Sequence, residues 1–190
     1  MKNIGGMHDN KARMKTLANK LAKNLTNDVI IVCIGTDMVI YDAIGPLVGS
    51  ELLAREDIKC HVYGTIKEPL HAKNVNHHIE EIKKKHPDSF VIAVDAAFGD
   101  KGHIGHVRLK EGPVRPGAGL NKNLTHIGDI SLIGVVHDSE GFEMFETNST
   151  RLSFIFDLKD AIVDIIVSAF KIYKNNLLKE VAVSIEEQEG

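Results

Sequence analysis

Two aspartates, Asp42 and Asp95, follow short apolar runs at positions where a pair of carboxylates can do chemistry. Asp42 lies in the stretch IGTDMVIYDAIGPLVGSELL, residues 34–53, which begins where the apolar run VIIVCI ends, and Asp95 lies in the run VIAVDA. Two neighbouring acids cannot both ionise freely, so one can hold a proton while the other acts as a base. Such a pair can activate water for attack on an amide.

Each aspartate also has an ordinary structural interpretation. Asp42 is well placed to be the N-cap of a helix that begins near residue 43 or 44, and Asp95 can end a buried strand and accept a bond from a neighbouring loop amide. A phosphate-binding loop is a third interpretation, because Gly35, Gly45 and the following helix N-terminus could supply amide donors. Neither GxGxxG nor GxxxxGK[ST] is present, however, and an aspartate at the helix start repels phosphate.

The periodicity of apolar residues predicts the elements that position the two acids. Strands are expected where β-branched runs occur, and helices where apolar residues recur every three or four positions. The predicted helices cover residues 11–25, 43–55, 74–86 and 149–178, and the predicted strands cover 29–34, 58–64, 89–96, 105–112 and 129–137. This alternation is typical of a layered α/β fold.

Such a fold predicts where the two acids lie. In an open parallel sheet, ligands bind beyond the carboxyl ends of the strands, and Asp42 and Asp95 follow the first and third predicted strands. Adjacent strands are only about 5 Å apart, so both carboxylates can face one crevice. A Gly- and Pro-rich loop, residues 112–129, separates the last two predicted strands, and loops of this length are usually functional or disordered.

The composition excludes several other classes of protein. The chain has 190 residues, and we expect one domain over 1–190 with a flexible N-terminus, 1–10, and a flexible acidic tail, 184–190. A net charge of −3 argues against nucleic-acid binding, and no apolar segment approaches the ~18 residues of a membrane span. Cys33 and Cys60 lie in apolar runs, which indicates buried free thiols and a cytoplasmic location.

Several stretches together resemble the small sporulation proteins related to bacterial spore germination protease. They are CIGTD with DAIGPLVG, VIAVDA, KEGPVRPGAGLNKNLTHIGDISLIG and NSTRLSFIF, which occur in the order of that family and cover most of residues 29–156. The resemblance implies a three-layer α/β/α sandwich with a mostly parallel central sheet, of the phosphorylase/hydrolase-like kind. That fold is shared with the maturation peptidases of nickel-iron hydrogenases.

The resemblance also implies a function for the two acids. Germination protease has one catalytic aspartate in a D-A-L-G-P turn and another in an I-D-A strand end, and these match Asp42 in DAIGP and Asp95 in VDA. The implied protein is a sporulation-associated endopeptidase in which Asp42 and Asp95 activate water. Asp37 is then expected to orient one of them, and the backbone amides of Gly117, Ala118 and Gly119 to hold substrate or oxyanion.

The implied partner is a protein or peptide substrate in a sporulating cell or spore, with small acid-soluble spore proteins as candidates. A homo-oligomer is also compatible with the sequence. One alternative is a catalytically inactive peptide-binding or regulatory sporulation protein on the same fold. Another is a metal-assisted maturation peptidase, for which His126 in the long loop is the candidate ligand. Two carboxylates without an established third ligand make a poor zinc or nickel site, so we expect no metal and no cofactor.

This sequence differs from the sporulation proteins in the turn before Asp42. Where they usually have a small polar stretch, this chain has Met38, Val39, Ile40 and Tyr41. The rim of the expected site is therefore more apolar, and the substrate preference of the family does not carry over. At the position of His126 the related proteins tend to have proline.

Overall fold

The structure is a computed structural model that describes residues 7–115, 125–139 and 150–189. Contacts divide the chain into two compact units. One unit comprises Met1–Leu25 with Asp164–Gly190, and the other is Thr26–Val163, which contains Asp42 and Asp95. The expectation of a single domain over residues 1–190 stays a prediction.

A five-stranded sheet forms the centre of the larger unit in the described residues. Its strands are β1 (Val29–Cys33), β2 (His61–Tyr63), β3 (Phe90–Gly99), β4 (Val107–Glu111) and β5 (Ile130–Asp138), in the spatial order β2-β1-β3-β5-β4. The first four strands in this order run parallel, and β4 at the edge is antiparallel to β5. All five residues of β1 are buried, as its β-branched sequence VIIVC predicts for a central parallel strand.

Helices cover both faces of this sheet. On one face, α3 (Val75–Lys85) packs against β1 and β3, and the buried side chains there include Ile30, Val32, Ala93, Val75, Ile79 and Ile82. On the other face, Ile44 of α2 (Ile44–Leu53) and Ile162 of α4 (Leu152–Glu189) lie beside Gly134 of β5. The predicted three-layer α/β/α fold with a mostly parallel sheet is therefore confirmed.

The first and last helices differ from the predicted bounds. Helix α1 is Met7–Ala22 instead of 11–25, so it includes part of the N-terminal segment that we expected to be flexible. Helix α4 continues past residue 178 to Glu189, which gives the acidic segment a helical backbone where we expected a flexible tail. None of the helices in the described residues is both long enough and apolar enough to span a membrane.

The cysteine expectation is only half correct. Cys33 and Cys60 are both free thiols, and Cys33 is fully buried in β1. Cys60 is only partly buried, because it precedes the short edge strand β2 and does not lie within it.

A close contact between backbones fixes α2 against the sheet. Gly64, which follows β2, has φ +85° and lies directly against the carbonyl oxygen of Cys33 in β1, and Gly49 of α2 lies against the carbonyl of Gly64. A side chain at Gly64 would overlap backbone, which cannot move as the end of a flexible side chain can. Glycine is therefore required at residue 64 for both its conformation and its packing.

Three glycine substitutions separate these two effects. Gly112 also has a positive φ, +90°, but has open space where a side chain would project, and Gly102 has open space without a positive φ. We expect Gly102→Ala to change the free energy of unfolding by less than about 0.5 kcal/mol and Gly112→Ala to lower it by about 1–2 kcal/mol. Gly64→Ala should lower it by more than either, about 3 kcal/mol or above, because overlap with backbone adds to the strain. Urea denaturation measures all three, and equal losses for Gly64→Ala and Gly112→Ala would contradict the packing argument.

Candidate active site

A closed turn brings Asp42 back to the carboxyl end of β1. After β1, the amide of Ile34 donates to the carbonyl of Val94 at 2.7 Å, so the chain still lies beside β3. The amide of Thr36 then donates to the backbone carbonyl of Asp42 at 3.0 Å, which closes the segment from 36 to 42. A short 3-10 helix, Ile40–Asp42, leads from this turn into α2.

The structure excludes the interpretation of Asp42 as a side-chain cap. The N-cap of α2 is Ala43, which has helical backbone angles and no side-chain cap hydrogen bond. Asp42 is instead the last residue of the preceding 3-10 helix. A phosphate cradle is also disfavoured, because the space beside the Cα of Gly45 is filled by the backbone of Ile34.

Asp95 lies inside β3 and not at its end, which corrects the prediction from the sequence. The last paired residues of β1 and β3 are Cys33 and Val94, so Asp95 is the first residue of β3 beyond that pairing. Strand β3 continues because its other neighbour, β5, pairs with it as far as Gly99 and Asp138. Asp95 is thus at the point where one neighbouring strand has ended and a crevice can open.

Both carboxylic acids are held in a poorly solvated environment. Burial raises the pKa of Asp42 to about 6, although a hydrogen bond from the backbone amide of Thr36 acts to lower it. Burial and then the charge of Asp42 raise the pKa of Asp95 well above its ordinary value, against a 2.8 Å hydrogen bond from the amide of Ala96. As whole residues, Asp42 and Asp95 are both partly buried. The charge of Asp42 acts on Asp95, so the two carboxyl groups lie close enough to interact.

The direction of both shifts favours the protonated form of the acids. Burial raises the pKa of each aspartate, and the charge of an ionised Asp42 further opposes the ionisation of Asp95. In such a pair one acid can hold a proton while the other is ionised. A pair in that state offers one base and one proton donor.

Two ring side chains that we did not predict, Phe98 and His137, are linked to Tyr41 of the expected rim. Tyr41, the neighbour of Asp42, packs on Phe98 of β3 with ring centroids 5.5 Å apart. Phe98 also contacts His137 of β5 at 5.9 Å. The register between β3 and β5 shifts between Ala97 and Phe98, and irregularities of this kind, such as bulges, often re-aim side chains beside active sites. The sequence contains a signal for this longer strand, because the run VIAVDA continues with the apolar residues Ala97 and Phe98.

The other predicted site residues are not brought to the pair in the described residues. Asp37 is exposed on the turn, and the described part of the chain shows no hydrogen bond from it to Asp42 or Asp95. His126 is exposed, and the described residues contain no group of three or more His, Cys, Asp and Glu side chains that could hold a metal ion. The turn Gly117, Ala118 and Gly119 lies outside the described residues.

Comparison with known proteins identifies relatives of this chain. YyaC of Bacillus subtilis (strain 168), whose full name is "Uncharacterized protein YyaC", is 38% identical over 148 residues, which are 78% of this chain and 72% of YyaC. The crystal structure of the NiFe hydrogenase maturation protease HycI from Thermococcus kodakarensis KOD1 is similar over 77% of this chain and 98% of that chain, with 18% identity and a TM-score of 0.43. A family described as "Protein of unknown function (DUF1256)" matches residues 6–165. The extent of that match and the identity with YyaC show that this chain belongs to the DUF1256 family.

Proposed function

We propose that this protein is a peptidase that hydrolyses peptide bonds with Asp42 as the general base and Asp95 as the general acid. The observation that carries the proposal is the coupled pair of raised pKa values at the carboxyl end of β1. Each acid has an amide donor that lowers its pKa, but burial outweighs this effect in both. Two desolvated acids of this kind cost stability, and such costs concentrate at functional sites.

The two acids can carry out both steps of hydrolysis without another protein group. As the water oxygen bonds to the substrate carbonyl carbon, Asp42 accepts a water proton and Asp95 gives its proton to the carbonyl oxygen. When the C–N bond breaks, Asp42 returns its proton to the leaving nitrogen, and a hydroxyl of the intermediate returns a proton to Asp95. The pair ends in its starting state, with one acid ionised and one protonated.

The biological setting of this activity follows from the resemblance to the sporulation proteins. We assign the peptidase to the cytoplasm of a sporulating cell or spore, with protein substrates such as small acid-soluble spore proteins and a homo-oligomer as an open expectation. Within this proposal, Asp37 and the amides of Gly117, Ala118 and Gly119 keep their supporting roles. Metal-assisted cleavage is a weaker proposal, because the described residues bring no third metal-binding side chain to the pair.

Asparagine substitutions test the catalytic roles. We expect Asp42→Asn and Asp95→Asn each to lower the rate of peptide cleavage by at least ~100-fold, because an amide cannot act as the base or the acid. Asp88→Asn is the matched control. Asp88 is exposed and precedes the amino-terminal end of β3, so this variant should cleave like the parent. Cleavage of small acid-soluble spore proteins and of an unstructured peptide library is followed by mass spectrometry. A parent that cleaves while both acid-pair variants cleave nearly as fast would show that the active site lies elsewhere.

The raised pKa of Asp42 also predicts a dependence of stability on pH. Its pKa is 3.8 for an unperturbed aspartate and about 6 in the folded protein, so the parent is most stable below pH 4 with respect to this group and loses stability as the pH rises through 6. Asp42→Asn removes that loss. We expect it to raise the free energy of unfolding by about 2–3 kcal/mol at pH 8, and by close to nothing at pH 4.

Urea denaturation at both values of pH measures this difference between the variant and the parent. Asp88→Asn serves again as the control, because an exposed carboxylate should give no such pH-dependent gain. An Asp42→Asn variant that is less stable than the parent at pH 8 would mean that the ionised carboxylate stabilises the fold, contrary to the proposal.

A further inference from the structure

We propose that Met38 and Ile40, together with the contact between Tyr41 and Phe98, form a subsite that binds an apolar side chain of the substrate next to the cleaved bond. This inference rests on the proposed peptidase function. It names the substrate class: peptides with a leucine- or phenylalanine-like residue beside the cleaved bond.

The exposure of two large apolar side chains on the turn that carries Asp42 is the first argument. Met38 is 89% exposed and Ile40 is 43% exposed, and both lie within four residues of Asp42. Single exposed apolar residues are common, but here two on one short turn forgo burial close to one of the two acids. A substrate side chain that covers them would recover that free energy.

The rigidity of the turn is the second argument. The amide of Met38 donates to the Oγ1 of Thr36 at 3.3 Å, the amide of Asp42 donates to the carbonyl of Val39 at 2.9 Å, and the amide of Ala43 donates to the carbonyl of Ile40 at 3.3 Å. Residues 36–43 are thus tied to one another by hydrogen bonds within the segment. The two apolar side chains project from a fixed scaffold, so little ordering of the backbone opposes binding.

The position of Tyr41 and Phe98 is the third argument. Tyr41 precedes Asp42 directly, and Phe98 follows Asp95 on the same strand, so their ring contact joins the two segments that carry the acids. Both rings are partly exposed. We therefore expect the side chain next to a peptide bond held by the two carboxylates to lie near these two rings.

The residues of the same turn determine which substrate side chains the subsite accepts. Methionine is unbranched and adaptable, so Met38 suits apolar groups of different shapes. Asp37 is exposed beside it and repels an acidic side chain. The subsite should accept leucine, methionine and phenylalanine, and should reject aspartate and glutamate.

A peptide series tests the subsite. The peptides share one cleavable sequence and differ only at the residues flanking the cleaved bond, which are leucine, phenylalanine, glycine or aspartate. We expect the parent to cleave the leucine peptide at least about 10-fold better than the glycine peptide in kcat/KM, and the aspartate peptide least well. The double variant Met38→Ser with Ile40→Ser should lower the leucine-to-glycine ratio about 10-fold, mainly through KM, with no loss in melting temperature.

Two further variants separate a subsite from a general effect on the surface. Leu53→Ser replaces a residue that is 62% exposed at the other end of α2, about 15 Å along the helix from its start, and should leave the ratio unchanged. Met38→Leu with Ile40→Leu keeps the apolar surface and should restore the ratio. Equal cleavage of all peptides by the parent, or an unchanged ratio in the serine variant, would overturn the subsite.

A second readout keeps this inference distinct from the peptidase proposal. If the parent cleaves no peptide, the proposed function fails, and calorimetric binding of the leucine and glycine peptides then decides the subsite. Preferential binding of the leucine peptide by the parent, lost in the serine variant, would support the subsite. Equal binding of both peptides, or the same preference in the serine variant, would overturn it.

Discussion

The mutual repulsion of two poorly solvated carboxylates is the constraint on which the site depends. Burial disfavours the charge on Asp42 and on Asp95, and the charge of Asp42 further opposes that of Asp95. The environment therefore favours a pair in which one acid holds a proton. A base and an acid in adjacent positions are the direct result.

The sheet supplies this environment through a difference in strand length. Strand β1 stops at Cys33, whereas β3 continues to Gly99 beside β5, so Asp95 projects from a strand that has lost one neighbour. The turn from 36 to 42 then returns Asp42 to the gap. The backbone contacts of Gly64 and Gly49 hold α2 close to β1, and α2 begins two residues after Asp42. The contacts that pack α2 against β1 therefore also help to position Asp42.

The sequence predicted the layers well, because they depend on local patterns, and the role of the two acids stays a prediction. Apolar periodicity located β1, α2 and α3 to within a few residues, and a carboxylate after an apolar run indicated the site. The sequence-based prediction was wrong where the backbone depends on partners outside the local pattern. The extension of β3 past Asp95 depends on pairing with β5, and the closed turn before Asp42 depends on a bond from Thr36 to a residue six positions later. The interpretation of Asp42 as an N-cap followed from the local sequence, but Asp42 is the last residue of the 3-10 helix that precedes α2.

The sharing of one proton between Asp42 and Asp95 is the central claim, and a carbon NMR titration of the aspartate carboxyl groups tests it most directly. Assignment uses Asp42→Asn and Asp95→Asn, each of which removes one signal. The account predicts that Asp42 titrates near pH 6, that Asp95 titrates well above the ordinary range of an aspartate, and that the loss of Asp42 lowers the pKa of Asp95. Two carboxyl groups that both titrate near pH 4, as exposed aspartates do, would contradict it.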